Sequence, residues 1–188
     1  DVSWETAYKW NLGLDVNTLN NALSLHADVF YDMREGIFLS RGDLPWYVGM
    51  TNMPLGNLGK VKNKGFEVSA EYKKQFNDDW FLSLMANCSF NRNEVVDNDV
   101  KYAYPWLDVR GQRVGQRYGY IAEKLFDSDE EVAASAYQSG DTRAGDIKYK
   151  DLNGDGKIDQ YDKAPIGWGS VPEIMYGFGF SLAYKGWS

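Results

Sequence analysis

Apolar and polar residues alternate with period two in five stretches of the chain. Leu12, Leu14 and Val16 alternate with Asn11, Gly13, Asp15 and Asn17, while Leu23, Leu25, Ala27, Val29 and Tyr31 oppose Ser24, His26, Asp28 and Asp32, with Phe30 as an apolar intruder. Phe66, Val68, Ala70 and Tyr72 stand against Glu67, Ser69 and Glu71. Trp80, Leu82, Leu84, Ala86, Cys88 and Phe90 oppose Phe81, Ser83, Met85, Asn87, Ser89 and Asn91, and Tyr176, Phe178, Phe180, Leu182 and Tyr184 oppose Gly177, Gly179, Ser181, Ala183 and Lys185. Successive side chains of a strand point to opposite faces, so each stretch is predicted as a β-strand with one apolar face and one polar or small one. Two architectures need that alternation. One is a soluble antiparallel sheet over a core; the other is a transmembrane barrel wall, apolar toward lipid and polar toward a wet lumen.

The connections favour the wall. Residues 17–21 and 73–79 are hairpin-length, whereas 33–64 and 92–173 are long, giving the order short, long, short, long. Outer-membrane barrels alternate tight turns at one end with large loops at the other, and structureless loops longer than about 15 residues are uncommon in compact soluble domains. Tyr31, Tyr72, Trp80, Phe90, Tyr176 and Tyr184 stand at strand ends, where interfacial aromatic girdles sit. Inside the second long connection, Ser128-Asp129-Glu130-Glu131 predicts a short helix start, with Ser128 as cap, Glu131 reaching back and Gly140 as the stop. Residues 112–120 predict an extended piece able to add a hairpin there. The predicted fold class is therefore all-β: antiparallel amphipathic strands with long loop insertions, part of a transmembrane β-barrel, with one short helix.

Composition narrows the function classes. The 188 residues carry 20 Lys and Arg against 27 Asp and Glu, a net charge of −7, and 15% are aromatic. An acidic chain without a basic run lacks the electrostatic footprint that nucleic acid demands, so no nucleic-acid partner is expected. One cysteine, Cys88, cannot form an internal disulfide, and one histidine, His26, cannot build a multi-histidine metal site. No apolar run reaches the ~18 residues of a transmembrane helix. The chain opens on Asp1-Val2-Ser3-Trp4 with neither an initiator methionine nor a signal-peptide pattern, and it is expected to be cut from something longer.

One segment carries a specific chemical motif. Residues 151–162 match the calcium-loop pattern D-x-[DN]-x-[DN]-G at its first six positions. Hard Ca²⁺ takes six to eight oxygens, so Asp151, Asn153 and Asp155 are the expected side-chain ligands, Lys157 the backbone carbonyl ligand, Asp159 a direct or water-mediated ligand, and Asp162 the closing one. Gly156 permits the sharp turn. Position twelve is Asp where the standard loop has Glu, which shortens its reach. Asn and Asp followed by Gly also make turns that bind nothing. The preceding residues 145–150 look extended, so the loop is expected to stand alone and to staple a long connection with structural Ca²⁺ rather than to sense it.

Other candidates carry less. His26, a lone histidine on the polar face of a strand, reads as structural, and Cys88 on an apolar strand face reads as a small hydrophobe. Asp127, Asp129, Glu130 and Glu131 are better explained as a helix-start charge group than as glycosidase acids, so no enzyme is expected. Trp46, Tyr47 and Trp106, beside Tyr102 and Tyr104, fall in the long connections. Such aromatics pack loops or stack on sugar rings, and Trp46, Tyr47 and Trp106 are the candidate substrate contacts.

With strands, loop asymmetry and calcium motif together, the chain resembles the SusC/RagA family of TonB-dependent outer-membrane transporters of Bacteroidetes. The resemblance rests on Trp4-Glu5-Thr6 leading into Trp10-Asn11-Leu12-Gly13-Leu14-Asp15, on Leu58-Gly59-Lys60-Val61-Lys62-Asn63-Lys64-Gly65-Phe66-Glu67-Val68, and on the run from Gly145 through Asp159, ending with Tyr176-Gly177-Phe178. It implies a barrel of about 22 strands with an N-terminal plug, a SusD-like surface lipoprotein partner, energy from the TonB complex, outer-membrane lipid around the wall, and glycan or peptide cargo. On that basis residues 1–188 are expected to be a piece of the C-terminal half of the barrel, without plug, with 92–173 as an extracellular insertion, unable to transport alone. The alternative is a soluble, calcium-stabilised, β-rich carbohydrate-binding module. Five strands leave two unpaired edges and a broad apolar face, so the isolated chain is expected to need partner strands, self-association or a rearranged packing.

Overall fold

The computed structural model describes residues 2–42, 49 and 53–188. Four long strands come first: β1 (Thr6–Thr18), β2 (Leu23–Ser40), β3 (Leu55–Gln75) and β4 (Trp80–Asp97). An insertion follows with β5 (Tyr118–Tyr120), β6 (Ala122–Leu125), helix α1 (Asp129–Ala134), β7 (Ile147–Tyr149) and β8 (Lys163–Pro165), and the chain returns as β9 (Ile174–Tyr184). The long strands form one antiparallel sheet in the order β1-β2-β3-β4-β9. Among the described residues the chain is all-β apart from α1 and two short 3-10 turns, Pro105–Leu107 and Gln160–Asp162.

Register keeps like with like. Leu12, Val29, Phe66, Phe90 and Ile174 form one row across the sheet, and Leu14, Ala27, Val68, Cys88 and Tyr176 form the next. A slip of one residue in any strand would turn its apolar set to the other face. Both short turns are set by local chemistry. Between β1 and β2, Leu19, Asn20 and Asn21 all adopt left-handed backbone, which Asn tolerates better than most residues, and Ala22 N–H closes on Leu19 O at 3.1 Å. Between β3 and β4, the Asn77 side-chain oxygen accepts from the N–H groups of Asp79 (3.0 Å) and Trp80 (2.9 Å).

The strands outrun the alternation that announced them. β2 continues to Ser40, β3 begins at Leu55 and β4 ends at Asp97, so parts of 33–64 and 92–173 expected in connections belong to the ladder. The insertion into the sheet accordingly starts after Asp97 and not at 92. Beyond the Phe66/Phe90 row both faces turn polar: Lys64, Arg92, Lys62 and Glu94 stand on one, Asn63, Asn91 and Asn93 on the other. Hydropathy then loses its period while the backbone bonding goes on.

No second layer covers the apolar rows of the sheet among the described residues. Among the described residues the buried hydrophobic side chains are Phe126 and Ala164, both in the insertion, whereas Trp10 is 75% and Phe178 86% exposed. From Trp80 to Phe90 the apolar face runs ten steps, about 34 Å along the strand, which at the ~40° tilt of barrel strands is close to the ~25 Å apolar band of a barrel. No described helix is long and apolar enough to cross a membrane.

Inside the insertion two small sheets nest, β6 with β7 within β5 with β8. Of 112–120, only Tyr118–Tyr120 is a strand, and it pairs with β8 instead of making a local hairpin. Helix α1 stops at Ala134, well before Gly140, because Ser135 goes extended and its hydroxyl donates to the Glu131 carbonyl at 2.8 Å. At the other end Glu131 N–H donates to the Ser128 hydroxyl (3.3 Å), while the Glu131 carboxylate accepts from Asp127 N–H (3.0 Å), one residue before the cap.

Candidate functional site

The acidic loop 151–162 joins β7 to β8. Gly154 and Gly156 take left-handed backbone (φ 74° and 81°), so they turn the chain where side chains would be strained. Asp151 then accepts from both of them, at 2.7 Å from Gly154 N–H and 2.8 Å from Gly156 N–H. Asn153 accepts from Asp155 N–H at 3.1 Å, and Asp155 from Lys157 N–H at 2.9 Å. Asp162 folds back from the end of the loop to its start. It is fully buried, with one oxygen accepting from Leu152 N–H (2.8 Å) and the other from Asp159 N–H (2.8 Å).

The loop is also anchored from outside. Tyr137 N–H donates to Gly156 O and Ile158 N–H to Tyr137 O, a parallel bridge that ties the loop to the segment after α1. Gln138 adds its side-chain amide to the edge of β7, accepting from Tyr149 N–H at 2.7 Å and donating to Ile147 O at 3.0 Å. Trp106 packs here too: its ring stacks on Tyr104 with centroids 4.7 Å apart, and its indole N–H donates to Tyr161 O at 2.7 Å. Sequence spacing gave no sign of that junction, since Trp106 and Tyr161 lie 55 positions apart.

The donors present are all oxygens, as a hard cation requires, and each carboxylate oxygen that accepts one N–H keeps a second lone pair. Among the described residues no group of three or more His, Cys, Asp or Glu side chains is gathered as a metal shell would gather them. The arrangement is the hydrogen-bonded one, with Asp162 serving backbone N–H groups. Of the candidate substrate contacts, Trp106 is half-buried in this cluster, and Trp46 and Tyr47 lie outside the described residues.

Two charged clusters brace the insertion. At α1 the Glu131 carboxyl is held down at about 2, first by the Asp127 N–H and then by the ammonium groups of Lys124 and Lys148, at 3.0 and 3.1 Å. At the entry to β9, Glu173 pairs closely with Arg113 and lies 3.8 Å from Arg92, and the Arg113 hydrogen bond holds its carboxyl below the usual range. The Arg113 guanidinium in turn sits over the Trp168 ring, 4.4 Å from its centroid. Residues 113 and 173 are 60 apart, so sequence patterning carried no signal for this pair.

On the polar face of the sheet His26 Nδ1 meets Asp15 Oδ1 at 2.5 Å, as their cross-strand register dictates. Asp28, Glu67, Ser69, Asn87 and Ser89 line the same shallow depression. Cys88 stands in an apolar-face row and is exposed. The polar face is thus an acidic, hydrogen-bonding surface, with Ser69 opposite His26 in the strand register.

Comparison with known proteins places this geometry. The profile described as TonB dependent receptor-like, beta-barrel matches residues 1–187. The chain is similar to TonB-dependent receptor P3 of Formosa agariphila, 30% identical over 98% of this chain and 20% of that protein. It is 24% identical to TonB-dependent receptor SusC of Bacteroides thetaiotaomicron over 98% of this chain and 18% of SusC. Among solved structures it superposes on the RagAB peptide transporter with a TM-score of 0.68 at 21% identity, covering 99% of this chain and 20% of that one. The RagAB peptide importer in its 'open-open' state gives 0.69 at 20% identity, with the same coverage. The chain spans about one fifth of the length of these relatives.

Proposed function

We propose, from the premise that this chain belongs to the TonB dependent receptor-like β-barrel family, that it is a wall segment of an outer-membrane nutrient transporter. The carrying observation is the apolar face of the five-stranded sheet, kept in register over every strand and uncovered by any second layer among the described residues. In this reading the apolar rows face lipid, the Asp15–His26 face lines the lumen, and the long insertion extends to the extracellular side. The whole transporter imports glycans or peptides together with a SusD-like lipoprotein and draws energy from TonB. The SusC relative and the RagAB peptide transporter support that class. The segment does not transport by itself, and the reading assigns it no reaction.

The acidic loop is proposed as a structural Ca²⁺ site, with Asp151, Asn153, Asp155, the Lys157 carbonyl, Asp159 and Asp162 as the donors. Four carboxylates within twelve residues, opposed only by Lys157, support it. The ion would neutralise that repulsion and fix the link between β7 and β8.

The test is affinity purification of the full-length protein from detergent-solubilised outer membranes. The expected result is a stoichiometric surface lipoprotein, with uptake of a glycan or peptide abolished when the gene is deleted. Recovery from the soluble fraction, with carbohydrate binding intact, would instead favour the binding-module reading.

A further inference from the structure

The charges just beyond the apolar band are not paired uniformly. Moving outward on the face that carries Phe66 and Phe90, the next row sets Lys64 directly opposite Arg92, with Tyr31 and Trp10 completing it on β2 and β1. One row further, Lys62 meets Glu94 at 2.7 Å, and beyond that Lys60 meets Glu35 at 3.3 Å. Those lysines have their carboxylates. The Lys64 ammonium has neither hydrogen bond nor ion pair among the described residues. Arg92 has only Glu173 at 3.8 Å, a carboxylate that Arg113 holds more closely.

Like charges directly opposite on neighbouring strands are destabilising. This pair stands where opposite-charge pairing begins immediately above it, and an anion between the two cations would remove the repulsion. Its position selects the anion. The row lies at the boundary between the apolar rows and the polar rows, beside Tyr31 and Trp10, the residue types that sit at headgroup level. A Lys stem lies along apolar surface while its ammonium reaches outward, and a guanidinium presents paired N–H donors to phosphate. We infer that Lys64 and Arg92 clamp the phosphate of an anionic lipid headgroup, in the leaflet on the side of the long connections. The inference rests on the barrel-wall reading.

The experiment uses the full-length protein in nanodiscs of phosphatidylcholine with and without phosphatidic acid, with bound lipid counted by native mass spectrometry. The double variant Lys64→Gln/Arg92→Gln is expected to retain about tenfold less phosphatidic acid, and Lys62→Gln, whose ammonium is already on Glu94, to stay within about twofold. The melting temperature should rise in the double variant without phosphatidic acid, where repulsion is relieved, and fall with it, where the clamp is lost. Equal retention by variant and parent, or a shift of the same sign in both lipids, overturns the inference. So does displacement of the lipid by inorganic phosphate, which would mark a soluble-anion site. A fluorophore at Leu12→Cys in a Cys88→Ala background reads the wall itself. Quenching by spin-labelled acyl chains with no lipid preference sinks only the clamp; absence of quenching in the otherwise unaltered protein sinks the wall reading and the clamp with it.

Discussion

Trp106 donates its indole N–H to the carbonyl of Tyr161, the residue that precedes Asp162. An aromatic at the start of the insertion is thereby fastened to the end of the acidic loop. Asp162 in turn returns to Leu152 at the loop's beginning. Loop closure and aromatic packing form one unit.

That unit separates two kinds of carboxylate. Asp162→Ala should destabilise the insertion by about 3 kcal/mol even without calcium, because it strands backbone N–H groups beside a fully buried position. Asp155→Ala, on the exposed part of the loop, should cost less than about 1 kcal/mol without calcium yet abolish the stabilisation by the ion. In the unaltered protein, calcium at a hundredfold over its Kd should add about 2.7 kcal/mol, and a chelator should remove it. Thermal melts of the three proteins with calcium and with chelator check this. No calcium shift in the unaltered protein would leave the loop a hydrogen-bonded turn.

Gly65 faces a different constraint. A Cβ there would meet the Phe90 carbonyl oxygen and the edge of the Phe30 ring, the latter at 2.6 Å. Phe30, the apolar residue that interrupted the polar face of β2, lies over a glycine that leaves it room. Gly65→Ala should therefore destabilise the sheet by about 2 kcal/mol, since the backbone oxygen cannot step aside. Phe30→Ala together with Gly65→Ala should not restore it. The measurement is the melting temperature of each variant in detergent.

The corner at α1 should respond to acid. The Glu131 carboxyl titrates near 2 when folded against an ordinary 4.5, so its contribution is complete above 4.5 and is lost as pH falls toward 2. The protection of the β6 and β7 amides, taken as exchange relative to the unstructured chain at each pH, should fall across that window. In Glu131→Gln that fall should be absent, with protection already lower at neutral pH.

Much of this was legible in the residues. The alternation located all five long strands, because period two survives wherever one face meets an apolar phase. It failed at Lys62, Lys64, Arg92 and Glu94, where the ladder continues after both faces have become polar. The capping signal at Ser128 marked where α1 begins, but Gly140 misled about its end, since Ser135 had a nearer acceptor in the Glu131 carbonyl. The acidic loop showed in its spacing. Its ties to Trp106, Tyr137 and Gln138 did not, because they join residues distant in sequence through single backbone atoms. The Arg113–Glu173 brace was hidden for the same reason.

The wall itself is tested most directly on β9. Single cysteines at Phe178, Phe180 and Leu182, and at Gly177, Gly179 and Ser181, in a Cys88→Ala background of the full-length protein, would carry a fluorophore in lipid bilayers. The first three should be quenched by spin-labelled acyl chains and shielded from aqueous iodide, and the second three should show the reverse, residue by residue. Quenching without that alternation, or iodide access to both sets, would contradict the wall reading.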